Sequence, residues 1–478
     1  MTNRVLVDLS HAAAGHVGIA QDLRLIFSIL CDIPGVEPSG LLMPTGRHDL
    51  PRISPAREGD PALSAAVLHW MSRNWTRLPA GRLARARALP HELWQILRPA
   101  HALMRVTTEG QMNALWRILF DPSLPAAARA AVLARAYFAT DLSVSRLIDR
   151  AVHLPFLPPK RLDAAGFDYA LFCMPRPVRL PPGVRQLVRF HDAVPVMDID
   201  TVANPRIGAA HQALVRGCAP DAVFICNSPQ SLDDLVALDP RRAAQAVVIP
   251  CALPPSEATA SPLPLSAIVA ARASFRTIGA EAAPAGWRPP ADDARYVLAV
   301  STLEPRKNYP GLIRAFEQVV ARADDPDLRL VIVGGAGWRE DEVLRAMRPH
   351  VGSGRILHLT EVPKEELRAL MQGAACFAQL SYSEGFGLAP LEALAAGTPA
   401  VVSDIPVCRW IFGEAALYAD PYDSAGIAAQ IERLTTHPEH AALRQSLLAR
   451  GEAVVTRFSL ASVRREWRAL FERFDTLV

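Results

Sequence analysis

Cysteine chemistry is the first thing this sequence does not offer. Its seven cysteines (Cys31, Cys173, Cys218, Cys226, Cys251, Cys376 and Cys408) are scattered, odd in number and never spaced C-x-x-C. That pattern excludes a disulfide framework and a zinc site, and it suits reduced, buried thiols in a cytosolic protein. Long apolar runs are also missing. No uninterrupted stretch approaches about 18 residues, so no membrane-spanning helix is expected. The segment Met1–Asp8 reads as the start of a strand and lacks the apolar region of a signal peptide. Charge of one sign is scarce too: a net charge of +3 gives no basis for general nucleic-acid binding, which needs a concentrated basic face. What is present is core-forming material. Half of the 478 residues are hydrophobic, enough for two domains of about 200 residues each.

Short apolar runs alternate with helix-period segments, the pattern of βαβ units and parallel sheets. In the first half, strands are predicted at 4–10, 169–174, 186–191, 222–227 and 246–250. Helices are predicted at 19–30, 205–216 and 229–238, the last capped by Ser228. Residues 256–294, rich in Pro and Ala, read as a linker with a short helix near 265–275. Alternation then resumes: strands at 296–301, 328–334, 355–359, 375–380 and 400–403, with helices near 309–323, 340–347, 364–372 and 390–396. The expected domains are therefore 1–255 and 295–458, followed by an amphipathic helix over 459–478 that packs back on the first domain. Residues 61–157 read as a helical insertion in the first domain. Arg73, Arg77, Arg82, Arg85, Arg87, Arg98 and Arg105 lie there near Trp70, Trp75 and Trp94, with Glu92 as the nearby acid. Such a segment fits either an ordinary solvated arginine face or a surface resting on anionic lipid.

Two segments carry candidate chemistry. Ser383-Glu384-Gly385-Phe386-Gly387-Leu388-Ala389-Pro390-Leu391-Glu392 follows an apolar strand and opens a helix that Gly397 closes. A strand-to-helix turn of this kind offers unpaired backbone amides to phosphate oxygens. Taken alone, the pattern is common, and Glu384 reads as a helix cap and Glu392 as a surface charge. The second segment decides between these readings. In Ser301-Thr302-Leu303-Glu304-Pro305-Arg306-Lys307-Asn308, two cations stand at a helix N-terminus, where the helix dipole disfavours them. A bound diphosphate explains both: Arg306 for forked contacts, Lys307 for a point charge.

With these pieces together, the stretch 297–423 resembles the donor-binding domain of glycosyltransferase family 4, a retaining family with the GT-B fold. The matching motifs are STLEPRKN, LRLVIVGG and SEGFGLAPLEALAAGTPAVVSD. The resemblance implies an α/β fold of two Rossmann-like doubly wound domains facing across a cleft. It implies that Glu384 contacts the transferred sugar and Glu392 the nucleoside ribose. The amides of Gly385, Phe386, Gly387 and Leu388 would line sugar and phosphate, with Gly334 closing the LRLVIVGG strand nearby. Val362, in the turn Glu361-Val362-Pro363, matches the base-contacting loop. In the first half, RFHDAVP is similar to the family's H-D-x-x-P strand end, which places His191 near the donor sugar beside Asp192. Gly15 and Gly18 match the glycine-containing loop on the acceptor side.

The reaction implied is front-face displacement at a hexose. Arg306 and Lys307 stabilise the leaving diphosphate, while Glu384 and His191 orient the sugar. No D-x-D metal motif accompanies the site, because Asp324–Asp327 reads as a turn at a helix end. No metal or other cofactor is expected to be required. The motif variants resemble bacterial polysaccharide mannosyltransferases, which favours GDP-mannose as donor, with other GDP-, UDP- or dTDP-sugars open. The acceptor is expected to be a glycan or polyprenyl-diphosphate-linked oligosaccharide at the cytoplasmic face of an inner membrane. The alternatives are a non-catalytic nucleotide-sugar-binding subunit and an epimerase or phosphorylase on the same fold.

Overall fold

A computed structural model describes residues 2–13, 18–45, 66–67, 100–106, 111–154, 157–197, 206–255, 263–322 and 327–475. The chain divides into two units: residues 1–196, 206–255 and 460–478 form one, and 197–205 with 256–459 form the other.

The first unit contains β1 (Asn3–Asp8), β2 (Val36–Leu42), β3 (Met104–Arg105), β4 (Tyr137–Ala139), β5 (Lys160–Arg161), β6 (Tyr169–Phe172), β7 (Val178–Arg179), β8 (Arg185–Phe190), β9 (Val223–Cys226) and β10 (Ala246–Val248). Eight of these make one sheet in the order β10-β9-β8-β6-β1-β2-β4-β3, while β5 and β7 pair separately. Every pair in the large sheet is parallel except β3 with β4. The central strands are buried on both faces, so Val5, Leu6 and Val7 of β1 are all inaccessible and no alternation survives there. The chain order reverses between β1 and β6.

The helix Gly18–Cys31 is not half-exposed as an amphipathic reading implies. From Asp22 to Cys31 every residue is buried, Asp22 and Arg24 included. One cover is the C-terminal helix Leu460–Asp475, whose Val463, Trp467, Leu470, Phe471 and Phe474 enter the same apolar core. Ser228 caps the helix Pro229–Leu238 in a reciprocal pair with Ser231: each backbone N–H donates to the other's hydroxyl, at 3.1 and 3.0 Å.

The expectation of a purely helical insertion over 61–157 needs correction. Its described part contains the helices Met112–Leu119, Arg129–Leu133 and Val144–His153, but β3 and β4 lie there too and extend the sheet beyond β2. Leu115, Trp116, Leu119, Phe120 and Val132 belong to the core. A three-residue strand between Ala-rich helices is too short to show a period of two. Of the seven arginines, Arg105 is exposed on β3 and the other six lie outside the described residues, as do Trp70, Trp75, Trp94 and Glu92.

The second unit holds β11 (Tyr296–Val300), β12 (Arg329–Val333), β13 (Ile356–Leu359), β14 (Cys376–Gln379), β15 (Ala400–Ser403) and β16 (Ala416–Ala419). They form one all-parallel sheet in the order β13-β12-β11-β14-β15-β16. That is the six-stranded order of a doubly wound dinucleotide-type domain, with its topological switch between β11 and β14. The expected linker is in fact part of this unit. Beyond the helix Leu265–Arg272, Ala273 bridges Leu359, Ser274 N–H donates to His358 O at 2.7 Å, and Phe275 meets Trp287 edge-on at 5.0 Å. Two aromatic anchors outweigh the loop-like composition. All seven cysteines are free and buried, and among the described residues no helix is long and apolar enough to cross a membrane.

Candidate active site

The switch between β11 and β14 leaves a crevice beyond the carboxyl ends of those two strands, because their following connections run to opposite faces of the sheet. The segments singled out by sequence leave the sheet there. After β11 the chain makes a tight turn over Pro305–Lys307, then Asn308 turns it left-handed (φ 52°) into the helix Tyr309–Arg322. After β14 it runs through Ser381–Phe386 to Gly387 (φ 112°), which starts the helix Leu388–Ala395.

The two loops are tied by one ionic network. Glu384 accepts from Arg306 Nη1 and from Lys307 Nζ, each at 2.7 Å, and from Ser381 Oγ at 2.7 Å and Gln379 Nε2 at 3.1 Å. Arg306 Nη2 also donates to Glu304 at 2.8 Å. Backbone bonds reinforce the tie: Tyr382 N–H donates to Arg306 O, and Arg306 Nη1 donates to Ser383 O, both at 2.9 Å. Asn308 staples a third loop through Nδ2 to Pro421 O at 2.7 Å, while its Oδ1 accepts from the Tyr382 hydroxyl at 2.8 Å.

The partners fare differently in this network. Burial alone would push the Glu384 carboxyl up, but Arg306 and Lys307 outweigh it and hold it at about 2, against an ordinary 4.5. Lys307 goes the other way: burial and the like charge of Arg306 lower its ammonium below the usual lysine value, and its one direct carboxylate partner does not make up the difference. The carboxylate is thus comfortable and the ammonium is not. Two cations balanced by two carboxylates leave this cluster with no net charge of its own. Added negative charge beside Lys307 would raise its ammonium back towards the usual lysine value.

Backbone strain gathers at the same edge of the sheet. The three left-handed non-glycine residues among the described residues are Asn308 (φ 52°), Arg339 (φ 56°) and Glu361 (φ 52°). They stand in the loops that leave β11, β12 and β13; the conformation costs about 1–2 kcal/mol at Arg339 and Glu361, and less at Asn308, since asparagine tolerates it. Gly334 follows β12 where a Cβ would lie 1.9 Å from Ser301 O, so only glycine lets the two loops close up. His358 on β13 reaches across to Gly334 O at 2.9 Å.

The remaining candidates separate into two groups. In the second unit, Gly385 is buried, and the Phe386 ring turns into the core against Phe458 (5.5 Å) and Trp410 (6.2 Å). Gly387 and Leu388 open the helix, whose first-turn amides have no intrahelical acceptors. Glu392 is half-buried one turn on, and Val362 is buried just after the left-handed Glu361. In the first unit, His191 follows β8 and its Nε2 lies 3.1 Å from Asp22 Oδ2. Asp192 Oδ1 accepts from Val194 N–H at 3.2 Å and so caps the short helix Val194–Met197. Gly18 opens the helix Gly18–Cys31, and Gly15 lies outside the described residues.

Sequence reasoning assigned no role to Glu304, Gln379, Ser381, Asn308, Asp22 or Arg189. Glu304 stood within a matched motif, but its burial at 2% exposure is visible only in the fold. Asp22 gave one signal: an acid in an otherwise apolar helix.

A doubly wound sheet in this order, with charged and glycine-led loops at its switch point, has the dinucleotide-type fold. More narrowly, residues 288–447 match the family described as glycosyl transferases group 1. O-antigen chain mannosyltransferase B from Escherichia coli is 35% identical over 164 residues, 34% of this chain and 42% of that protein. O-antigen chain mannosyltransferase RfbU from Salmonella typhimurium is 31% identical over 147 residues, 30% of this chain and 39% of that protein. The matched stretch therefore spans about two fifths of the length of these relatives. Sucrose-phosphate synthase from Thermosynechococcus elongatus shares the fold, with a TM-score of 0.56 at 17% identity over 100% of both chains.

Proposed function

We propose that the chain is a retaining glycosyltransferase that moves a hexose, with mannose from GDP-mannose favoured, onto a glycan carried by a polyprenyl diphosphate. The observation that carries this reading is the buried Arg306–Lys307–Glu384 network at the switch point. Two adjacent cations beside a glycine-led helix start suit the two phosphates of a nucleoside diphosphate. As the glycosidic bond to the donor breaks, negative charge grows on the leaving diphosphate. Arg306, Lys307 and the amides around Gly385–Leu388 would meet it without a bound metal. Three of the four donors to Glu384 fall on Oε1 and one on Oε2, so Oε2 is the oxygen assigned to a sugar hydroxyl, and Glu392 is assigned the ribose. Val362 and Gly334 are assigned the base side of the donor. In the first unit, His191 is assigned a substrate contact, with Gly15, Gly18 and Asp192 on the acceptor side. The relatives named O-antigen chain mannosyltransferases support mannose and a surface polysaccharide. Cytoplasmic work at an anionic inner-membrane surface, through the basic segment near Arg73–Arg105, is the remaining part of the proposal. Flotation with anionic liposomes tests it, and protein left at the bottom of the gradient refutes it.

The test of the reaction is a panel of nucleotide sugars with a polyprenyl-diphosphate glycan acceptor. GDP-mannose is expected to raise the unfolding temperature most and to release GDP. Release from another donor alone changes the sugar. An altered but intact nucleotide sugar means epimerisation, and binding without any release means a recognition subunit.

A further inference from the structure

We infer that Asp22 is a positioning residue for His191: it holds the imidazole proton on Nε2 and so presents Nδ1 to the substrate. The inference rests on the reading of His191 as a substrate contact. Arg189 and His191 are two residues apart at the end of β8, so both side chains leave the same face of the strand. On that face lies the helix Gly18–Cys31 with Asp22, which is 2% exposed. Asp22 Oδ2 accepts from Arg189 Nε at 2.7 Å, and Oδ1 accepts from Arg189 Nη2 at 3.1 Å. Arg189 is anchored in turn by Nη1 to Ile249 O at 2.5 Å and by Nη2 to Cys251 Sγ at 3.4 Å.

That forked pair already neutralises Asp22, yet His191 Nε2 takes a place on the same Oδ2. Burial would push the Asp22 carboxyl up, but Arg189 and His191 outweigh it and hold it well below the usual carboxylate range. An ionised carboxylate only accepts, so the proton between the two must belong to Nε2. The second ring nitrogen, Nδ1, is then the one left to accept from a sugar hydroxyl. His191 keeps 11% of its side-chain surface for such a contact. Neighbouring His11 adds no competing charge near neutrality, since burial and Arg176 lower it to about 4. Carboxylates that fix a catalytic histidine's tautomer in this way act on the chemical step.

Two variants break the same ion pair but predict different outcomes. In wild-type protein labelled with [15N]histidine, the His191 signal, assigned by its loss in His191→Gln, is expected to show the Nε2–H tautomer. Asp22→Asn offers an amide in place of the carboxylate, and it is expected to move the proton to Nδ1 and lower kcat about 10- to 100-fold, with donor KM changed less than about threefold. Arg189→Gln keeps the carboxylate and is expected to keep the Nε2–H signature and at least about tenfold more kcat than Asp22→Asn. Equal losses in both variants with an unchanged tautomer would make Asp22 a structural counter-ion and overturn the inference. So would an Nδ1–H tautomer in the wild type, a measurement that does not depend on either variant folding. If the wild type releases no nucleoside diphosphate from any donor, the transfer reading fails instead, and the tautomer still decides whether Asp22 holds the ring.

Discussion

Replacing Glu384 by glutamine removes one charge while keeping the side chain's shape, and it leaves Arg306 and Lys307 buried beside each other with Glu304 as the carboxylate that Arg306 still holds. A carboxyl that titrates at about 2 in the folded chain and at its ordinary 4.5 in the unfolded one contributes about 3 kcal/mol at neutral pH. That figure agrees with the roughly 3–5 kcal/mol lost when one partner of a buried ion pair is deleted. The sign follows from the direction of the shift. A lowered carboxyl stabilises the fold above its unfolded value, and the contribution fades as pH falls from about 4.5 towards about 2. Urea unfolding of Glu384→Gln and wild type is therefore expected to differ by about 3 kcal/mol at pH 7 and by visibly less at pH 3–4. The variant carries two under-compensated cations, so GDP at one concentration is expected to raise its unfolding temperature more than that of the wild type, although transfer is lost. Equal stability of the two proteins at pH 7 would refute the network. An identical GDP shift would refute the assignment of its cations to phosphate.

Lys307→Met is expected to cost less stability than Glu384→Gln, under about 1 kcal/mol in urea unfolding, because the ammonium is already disfavoured by burial. Its nucleoside diphosphate release is expected to fall about 100-fold or more in a donor-turnover assay. Gly387→Ala meets no atom closer than 3.9 Å, so its cost is the left-handed backbone alone, about 1–2 kcal/mol by denaturant titration. Trp467→Ala empties a fully buried site under the first unit's sheet and is expected to cost about 3–5 kcal/mol, read in the same titration.

Much of the second unit was legible because its strands are apolar on both faces and its helices carry clear starts and stops. Gly397 closes the helix Leu388–Ala395 from the left-handed region, as its place in the sequence implied. β2 was not legible: Pro38 and Gly40 interrupt it, and both count against a strand. Its neighbours β1 and β4 hold it in the sheet regardless. The segment 263–294 looked like a linker because loop composition says nothing about where Phe275 and Trp287 go.

By itself the sequence marked a cation pair beyond one apolar strand and, beyond another, a glycine-containing turn with one acid before its glycines and a second in the helix that follows. Local pattern is enough for that, since period, cap and breaker are properties of neighbours along the chain. Tertiary structure alone decided how those charges are spent. Glu384 meets Arg306 and Lys307 across 78 and 77 residues of chain, and Asp22 meets Arg189 and His191 across 167 and 169. Such pairings depend on strand order and burial, which place distant residues together in a low dielectric where a carboxylate must find a cation or a donor.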